Sequence, residues 1–414
     1  MLLTTLRAAV LGLLASCLCV SPQAVATTSL PAVFAGAYKV FTSSTDFRQG
    51  TAAGTTTSSD RLRISTPVGT RSVGGHTYQY STWTSPWVTR THPFTRLVPS
   101  WAATTPTGTW VQVLVQVRTG SGTTSSLKSL GSWASGDSVI RRSSAGSQSD
   151  AVAHVATDTV VAGAKPLAAF RLTVRLLRRA GDPSPTVAEV GAVTSRPGTL
   201  PATSKPLSTK PVSLGVPSYS QMVHQGENPE YGGGGEAWCS PTSLAMVLGY
   251  YDRLPSPSTY TWVSSSYPQR WVNAVARLTY DHAYDGTGNW PFNTAYAATR
   301  VSNAFVTRLA DLRMAERFIR AGIPLIVSIQ FSDGGLRGAP ISATNGHLVV
   351  LRGFSASGNP VVNDPAARTA GTVRRTYNRA QFERAWLGGS AGMAYVLQPA
   401  SRPLPTRPAG VYAW

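Results

Sequence analysis

The sequence predicts a multidomain protein, with an all-β N-terminal domain followed by an α+β C-terminal domain. Apolar and polar residues alternate over residues 109–118 and 170–176, which is typical of half-buried antiparallel strands. A segment rich in Pro, Thr and Ser follows at residues 196–213 and cannot bury a core. Beyond it, a helical pattern precedes several strand patterns, which is the order of an α+β domain. With 414 residues, the chain has room for two ordinary domains.

Residues 1–26 have the pattern of a secretory signal peptide. An arginine precedes an apolar run over residues 8–20, and Ala24 and Ala26 supply the small residues of a cleavage site. The run is too short for a comfortable transmembrane helix, and no later segment is long enough to span a bilayer. We therefore predict a secreted bacterial protein without a transmembrane segment in the mature chain. A lipid anchor at Cys17 is the alternative, because the residues before it resemble a bacterial lipoprotein box.

The number of cysteines favours a reactive thiol over a disulfide framework. The chain has three cysteines, and cleavage after residue 26 would remove Cys17 and Cys19. Cys239 would then be the single cysteine of an exported protein and would have no partner for an internal disulfide. The alternative is a small buried cysteine that packs as an apolar residue.

Residues 27–195 are predicted to form a β-sandwich or jelly roll. Gly, Ser and Thr recur between short strand patterns, and no convincing helix interrupts them. Five tryptophans would stack on sugar rings if they were exposed, although tryptophans of such domains are more often buried. They are Trp83, Trp87, Trp101, Trp110 and Trp133. His76, His92 and His154 lack the spacing of metal ligands, so we expect no metal site.

The next segment, residues 196–213, is predicted to be a linker that marks the domain boundary. Its repeated prolines favour a semi-extended backbone, whose stiffness should hold the two domains apart. The C-terminal domain is then expected over residues 214–400, with a C-terminal tail at residues 401–414.

The C-terminal domain is organised around Cys239, which precedes a helical pattern. Ser240 suits the N-cap and Pro241 the first helical position, so the helix should begin there. Apolar residues recur on one face as far as Tyr251, and Pro255 prevents further extension. The helix N-terminus favours negative charge, and such a position can lower a thiol pKa from about 8.5 toward roughly 3.5–7.5.

Two apolar runs on either side of residues 355–358 predict a β-hairpin. With these four residues as the loop, Phe354 faces Asn359. His347 then lies within two residues of the position opposite Asp364. Neighbouring strands would hold this imidazole and this carboxylate within reach of each other. A nucleophile at a helix N-terminus and a base oriented by a carboxylate are the parts of a catalytic triad.

Periodicity predicts the remaining elements of the C-terminal domain. They are a helix over residues 293–301, a helix over residues 311–320 that ends at Gly322, a central strand over residues 324–331, a helix over residues 381–387 and a strand over residues 394–397. The four glycines at residues 232–235 permit almost any backbone path, and either a loop at the cleft or a surface spacer fits them.

Four short segments within residues 214–399 combine, in this order, a Gln, a Cys, a His and an Asp with characteristic neighbours. They are Tyr219-Ser220-Gln221, Trp238-Cys239-Ser240-Pro241-Thr242-Ser243, Gly346-His347-Leu348-Val349-Val350 and Val362-Asn363-Asp364-Pro365. These segments resemble cysteine peptidase family thirty-nine, the papain-like double-glycine peptidases and their secreted relatives. The resemblance implies a papain-like fold with Cys239 as nucleophile, His347 as base, Asp364 as orienting acid and Gln221 as oxyanion-hole donor. Asn363 is an alternative orienting group, because Cys-His-Asn sites also work.

The resemblance therefore implies a secreted cysteine peptidase that hydrolyses peptide bonds in a peptide or protein. Ser240 stands where the family usually has Gly, and the insert at residues 222–237 is long and Gly-rich, so the substrate stays open. The alternative is a cell-envelope or carbohydrate-binding protein with an inactive papain-like domain. No cofactor is expected, because the sequence has no zinc-peptidase motif, phosphate-binding Gly loop or Gly-x-Ser-x-Gly elbow.

The net charge of +19 makes polyanions the first partners to consider. The arginines are scattered, however, and no nucleic-acid-binding signature is present, so we expect no specific nucleic-acid partner. For an exported protein the anionic cell wall is the expected partner, and a solvated basic surface without a partner is the alternative. We expect a monomer.

Overall fold

The structure, a computed structural model, describes residues 36–414. The predicted signal peptide and Cys17 lie outside this range. A mostly β N-terminal domain is followed by an α+β C-terminal domain, which confirms the predicted two-domain architecture. Within residues 36–414, none of the helices combines the length and the apolar character that crossing a membrane requires.

The N-terminal domain consists of antiparallel strands and one short helix. The strands are β1 (Ala37–Phe41), β2 (Thr51–Ala53), β3 (Thr55–Ser58), β4 (Arg61–Ile64), β5 (Gly69–Val73), β6 (His76–Thr84), β7 (Val88–Phe94), β8 (Arg96–Thr104), β9 (Thr109–Thr119), β10 (Lys128–Trp133), β11 (Gln148–Ser149), β12 (Ala153–Ala156), β13 (Thr159–Ala162), β14 (Leu167–Arg178) and β15 (Thr186–Ser195). The sequence predicts no helix here, but Ser43 and Asp46 form a capping box that starts α1 (Ser44–Arg48).

These strands form two sheets that enclose one core. The eight-stranded sheet has the order β11-β12-β13-β8-β15-β4-β3, with β1 beside β15. The seven-stranded sheet has the order β10-β9-β14-β6-β2, with β5 beside β6 and β7 beside β14. The two alternating segments of the sequence become β9 and β14, which pair along their whole length. Valines of β9 and Trp101 of β8 pack in the same core, whereas the jelly-roll alternative stays a prediction.

Burial decides the role of most of the tryptophans. Trp83, Trp101, Trp110 and Trp133 are at most 1% exposed, so they contribute to packing and offer no ring to a sugar. Trp87 is half-buried.

The C-terminal domain combines helices with a third antiparallel sheet. Its elements are β16 (Val212–Ser213), α2 (Cys239–Tyr250), α3 (Trp271–Thr279), α4 (Trp290–Ala297), β17 (Asn303–Arg308), α5 (Leu312–Arg320), β18 (Leu325–Phe331), β19 (Thr344–Phe354), β20 (Pro360–Asn363), β21 (Arg374–Thr376), α6 (Arg379–Ser390) and β22 (Met393–Gln398). The sheet order is β17-β22-β18-β19-β20-β21, with β16 beside β19. The predicted strand over residues 324–331 is β18, and its central position is confirmed.

Three helices, α2, α4 and α6, begin two or three residues earlier than the sequence predicts. Helix α2 starts at Cys239 after Trp238, so Ser240 is a helical residue and not the N-cap. Helix α4 starts at Trp290, because the Asn289 side chain accepts a hydrogen bond from the backbone of the first turn. The first ten residues of α2 are all buried, so this helix has no exposed face in its first turns.

The hairpin of β19 and β20 departs from simple pairing at its loop. Val350 pairs with Asn363, as the predicted loop requires. A bulge then shifts the register, so Phe354 pairs with Pro360 and not with the predicted Asn359.

The predicted linker does not hold the domains apart. Its backbone instead lies along the C-terminal domain, where the Leu207 N–H donates to Glu316 at 2.9 Å and Arg379 Nε donates to the Ser204 carbonyl at 2.6 Å. The Ser204 N–H also donates to Glu383 at 2.7 Å. Three buried charged side chains thus gain backbone partners from this segment, which offsets the cost of burying them.

The two domains also pack directly against each other. Phe292 of α4 is fully buried within the core of the N-terminal domain. The Trp290 N–H donates to Asp158 at 2.8 Å, and the ring of Tyr38 stacks on Phe305 with 4.7 Å between centroids. Arg277 forms a bidentate ion pair with Asp137 of the N-terminal domain.

Residues 401–414 also contact both domains. The ring of Trp414 lies edge-on to Phe318 at 4.8 Å, and the Tyr38 N–H donates to the Tyr412 carbonyl at 2.7 Å. This segment is therefore a packed part of the structure and not a free tail.

Candidate active site

The structure places the four predicted site residues on elements of the C-terminal domain. Cys239 is the first residue of α2, His347 lies near the start of β19 and Asp364 follows the last residue of β20. Gln221 opens a short 3-10 helix, Gln221–His224. All four side chains belong to residues that are at most 1% exposed.

His347 and Asp364 form the central contact of this site. His347 Nε2 lies 2.7 Å from Asp364 Oδ1, and both side chains are almost completely buried. With Nε2 bonded to the carboxylate, Nδ1 is the nitrogen left for Cys239, with which the imidazole also interacts. The hairpin thus brings together the base and the carboxylate, while the start of α2 supplies the thiol.

The electrostatics of the pair favour a charged imidazole. Burial lowers the pKa of His347, but the charge and hydrogen bond of Asp364, together with Cys239, outweigh burial and raise this pKa well above its ordinary value. For Asp364, burial alone would raise the pKa. The charge and hydrogen bond of His347 outweigh burial, so the pKa of this carboxyl falls below its ordinary value. An imidazolium beside a thiol at a helix N-terminus stabilises the thiolate.

Two further groups hold the Asp364 carboxylate. The Tyr377 hydroxyl donates to Oδ2 at 2.7 Å, and the Ala366 N–H donates to Oδ1 at 3.1 Å. Sequence reasoning missed Tyr377, which belongs to no segment of the family pattern and is brought to the site by the chain between β21 and α6. Burial and the charge of Asp364 raise the pKa of Tyr377, so the phenol stays a hydrogen-bond donor.

Gln221 lies between the two segments that carry the other site residues. Its backbone N–H donates to the Pro365 carbonyl at 2.9 Å, directly after Asp364. Its side-chain amide donates to the Glu236 carbonyl, three residues before Cys239. The amide N–H groups of Gln221 therefore face the chain that leads into α2.

Asn363 does not take the orienting role that the sequence left open. Its Nδ2 donates to the Pro217 carbonyl at 3.0 Å, and its Oδ1 accepts from Arg352 at 3.2 Å. Because successive side chains of a strand point to opposite faces, Asn363 faces away from the carboxylate that follows it. Asn363 therefore anchors the start of the domain, and of the two candidate orienting groups it is Asp364 that is hydrogen-bonded to His347.

A second buried histidine supports the chain around Cys239, and sequence reasoning missed it too. His224 Nδ1 lies 2.8 Å from Glu227 Oε2, and Asn273 Nδ2 donates to the same oxygen at 2.9 Å. The His224 ring packs against Trp238, the residue before the cysteine, with 6.2 Å between centroids. Burial lowers the pKa of His224 despite Glu227. The spacing of three residues between His224 and Glu227 was the available signal.

The glycine run has a local steric reason. Gly234 has φ of +107°, and a Cβ on Gly235 would lie 2.2 Å from the His224 carbonyl oxygen. The segment therefore packs closely against the 3-10 helix of Gln221, which does not fit a plain surface spacer.

Ser240 uses its hydroxyl inside the domain. The hydroxyl donates to Asn293 Oδ1 at 2.9 Å and lies 3.1 Å from the Tyr395 hydroxyl. The hydroxyl at this departure from the family's Gly thus ties α2 to α4 and β22.

Comparisons with known proteins give one family match in each half of the chain. Residues 37–195 match the Peptidase C39 N-terminal domain, and residues 213–391 match the Peptidase C39 like family. The resemblance inferred from the sequence is thereby confirmed. Among solved structures, a fragment of Prevotella intermedia prointerpain A is 18% identical and covers 51% of this chain and 76% of its own, with a TM-score of 0.28, which supports no argument about the fold. The search of curated proteins found no match.

Proposed function

Since the C-terminal domain matches the Peptidase C39 like family over residues 213–391, we propose that the protein is a secreted cysteine peptidase that hydrolyses peptide bonds. The observation that carries the proposal is the buried contact of 2.7 Å between His347 and Asp364, next to Cys239 at the start of a helix. Thiol, imidazole and carboxylate are the three groups that covalent acyl transfer needs.

In the proposed reaction, the Cys239 thiolate attacks the carbonyl carbon of the scissile peptide bond. The tetrahedral intermediate collapses when the His347 imidazolium gives its proton to the leaving amine, and a thioester remains on Cys239. His347 then removes a proton from a water molecule, which attacks the thioester and releases the carboxylic acid. Asp364 stabilises the imidazolium at each stage and fixes the orientation of the ring.

Gln221 is proposed as a donor to the oxyanion. One such donor typically contributes about 10²–10³ in rate. A backbone N–H at the start of α2 is the second proposed donor, because the first N–H groups of a helix have no partner within the helix. Gln221 supports this role through its position between the segments of Asp364 and Cys239.

The experiment is alkylation of the purified mature protein with iodoacetamide from pH 4 to pH 9, followed by intact mass. A thiolate–imidazolium pair predicts rapid labelling of Cys239 that persists well below the ordinary thiol pKa of about 8.5 and that slows in His347→Ala. Labelling that follows an ordinary thiol titration and is unchanged in His347→Ala would contradict the proposal. Hydrolysis of an unfolded protein by the wild type, absent in Cys239→Ser, would establish the reaction class.

A further inference from the structure

The outer face of the seven-stranded sheet carries four arginines without acidic partners. They are Arg71 of β5, Arg118 of β9, and Arg171 and Arg175 of β14, and we refer to them as the arginine face. Within residues 36–414, no Asp or Glu side chain forms a hydrogen bond or ion pair with any of the four. Burial and the nearby positive charge of Arg71 lower the pKa of Arg175, so these two arginines lie close enough to repel each other.

Glutamines on β9 orient these cations without neutralising them. Gln116 Oε1 accepts from Arg171 Nε at 2.9 Å, and Gln112 Oε1 accepts from Arg175 at 2.7 Å and from Arg71 at 3.3 Å. Each glutamine lies directly opposite its arginine on β14. A neutral amide oxygen fixes the direction of a guanidinium while the positive charge remains available to a ligand.

Aromatic rings fix the same arginines from the side. The guanidinium carbons of Arg118 and Arg171 lie 4.4 and 4.8 Å from the centroid of the Trp87 ring. The guanidinium of Arg175 lies 5.1 Å from the centroid of Tyr80. These cation–π contacts hold the side chains in place and also occupy the rings, so the rings are not free to stack on bases.

We propose that the arginine face binds a linear polyanion with repeated phosphate or carboxylate groups. Arg171 and Arg175 are four residues apart on one strand, so their Cα atoms are about 13 Å apart. That distance is too long for one small anion and suits successive charges of a chain. A single-stranded nucleic acid would need free aromatic platforms, which the packed rings of Trp87 and Tyr80 do not offer.

The hydrogen bonds and ring contacts described above for the arginine face all lie within the N-terminal domain. The N-terminal domain contacts the C-terminal domain largely through β8, β1 and residues 137–158, for example where Ser100 of β8 accepts a hydrogen bond from the Val306 backbone. Binding at the arginine face would therefore leave the C-terminal domain uncovered. This inference goes beyond the proposed peptidase activity and does not depend on Cys239.

The test is titration of the mature protein with inorganic polyphosphate, with polygalacturonate and with a single-stranded oligonucleotide, at about 50 mM and about 200 mM salt. The double variant Arg171→Gln/Arg175→Gln should bind polyphosphate or polygalacturonate at least about tenfold more weakly, with a shallower salt dependence. The control Arg253→Gln/Arg313→Gln removes the same charge from exposed positions of the C-terminal domain and should stay within about twofold of wild type.

The outcomes separate the sources of the anion. Preference for polyphosphate identifies phosphate, and preference for polygalacturonate identifies carboxylate, and both support the proposal. No binding to either at low salt, equal weakening in the two double variants, or stronger binding of the oligonucleotide would overturn it. Thermal melting checks the fold of each variant, and Arg118→Gln alone, with an expected loss of about threefold, provides a milder second test.

Discussion

His347 Nε2 and Asp364 Oδ1 are hydrogen-bonded at 2.7 Å although the two residues are not cross-strand partners. Val350 pairs with Asn363, the last residue of β20. His347 lies three residues before Val350 on β19, so it is beyond the end of β20 and has no partner residue on that strand. Asp364 is the first residue beyond the paired strand, so its side chain can reach the imidazole diagonally. Its position at a strand end also admits the backbone N–H of Ala366 to the same carboxylate oxygen.

Replacing the carboxylate should uncouple the thiol from the imidazole. In Asp364→Asn, the charge that raises the His347 pKa is lost, so the imidazolium is depleted near neutral pH. Iodoacetamide labelling of Cys239 at pH 6 should slow by at least about tenfold, as a drop of one unit in the His347 pKa allows. The control Asp333→Asn changes an exposed carboxylate and should label like wild type. Equal rates in the two variants would remove Asp364 from the site.

Tyr377→Phe should cost stability, because it leaves Asp364 Oδ2 without its donor. An unsatisfied buried acceptor costs about 1–3 kcal/mol, and the free energy of unfolding in urea should fall by that amount. Tyr412→Phe removes a hydroxyl from an exposed residue and serves as the matched control, with an expected change within about 0.5 kcal/mol. A loss in Tyr412→Phe as large as in Tyr377→Phe would show that the buried contact is not the cause.

Stability should also depend on pH through Glu189 at the domain interface. Burial raises the pKa of Glu189 to about 7, against the hydrogen bond from Tyr38. A raised acid pKa contributes stability that is full below the unfolded value of about 4.3 and is lost as pH rises through about 7.

Glu189→Gln keeps an acceptor for Tyr38 and removes this loss. The variant should equal wild type near pH 4 and exceed it by roughly 1–3 kcal/mol at pH 8.5, measured by urea unfolding at both pH values. Glu230→Gln, at an exposed position, should show no such divergence. A variant that is less stable than wild type at pH 8.5 would contradict the burial argument.

The two domains should unfold in one transition. Phe292 is buried in the core of the other domain, so neither core can open while the other remains intact. Tryptophan fluorescence and protection of Cys239 from alkylation should give one midpoint in urea. Phe292→Ala should lower the midpoints of both signals together, which corresponds to a loss of about 3–5 kcal/mol in the free energy of unfolding. Phe382→Ala, in the C-terminal core, is the comparison: a shift in the Cys239 signal alone would show independent domains.

Access to the thiol should depend on the size of the reagent. Cys239 is 0% exposed, so a reagent reaches it through narrow openings or local fluctuations. Relative to a free cysteine, a bulky fluorescent maleimide should react at least about tenfold more slowly than iodoacetamide. In mild urea that difference should shrink. Equal relative rates for the two reagents would mean that the site is open to large molecules.

Sequence patterns were sufficient where a short segment determines its own structure. The alternation of residues 109–118 predicted β9, and the two apolar runs around residues 355–358 predicted the hairpin that joins His347 to Asp364. The loop is one residue longer than predicted, but the bulge between Leu351 and Gly353 offsets it, so Val350 still pairs with Asn363 and the predicted proximity of His347 and Asp364 is kept.

Contacts between distant segments could not be predicted from sequence patterns. Tyr377 and Asp364 are joined through the path of the chain after β20, which no local pattern records. The linker was wrongly expected to separate the domains, because composition reports stiffness and says nothing of Glu316 and Arg379, to which its backbone is bonded. The start of α2 was misplaced by two residues, because Ser240 hydrogen-bonds to other elements and does not cap its own helix.

Phe292 makes the C-terminal domain dependent on this particular N-terminal domain. The Phe292 ring packs in the N-terminal core so closely that a Cβ on Gly131 would lie only 2.7 Å from it. Two residues earlier, the backbone N–H of Trp290 donates to Asp158 of the N-terminal domain. A recombination event that exchanged the β domain for another would leave this ring in water and this N–H without its acceptor. Exchange of the β domain for another would therefore require matching changes in α4.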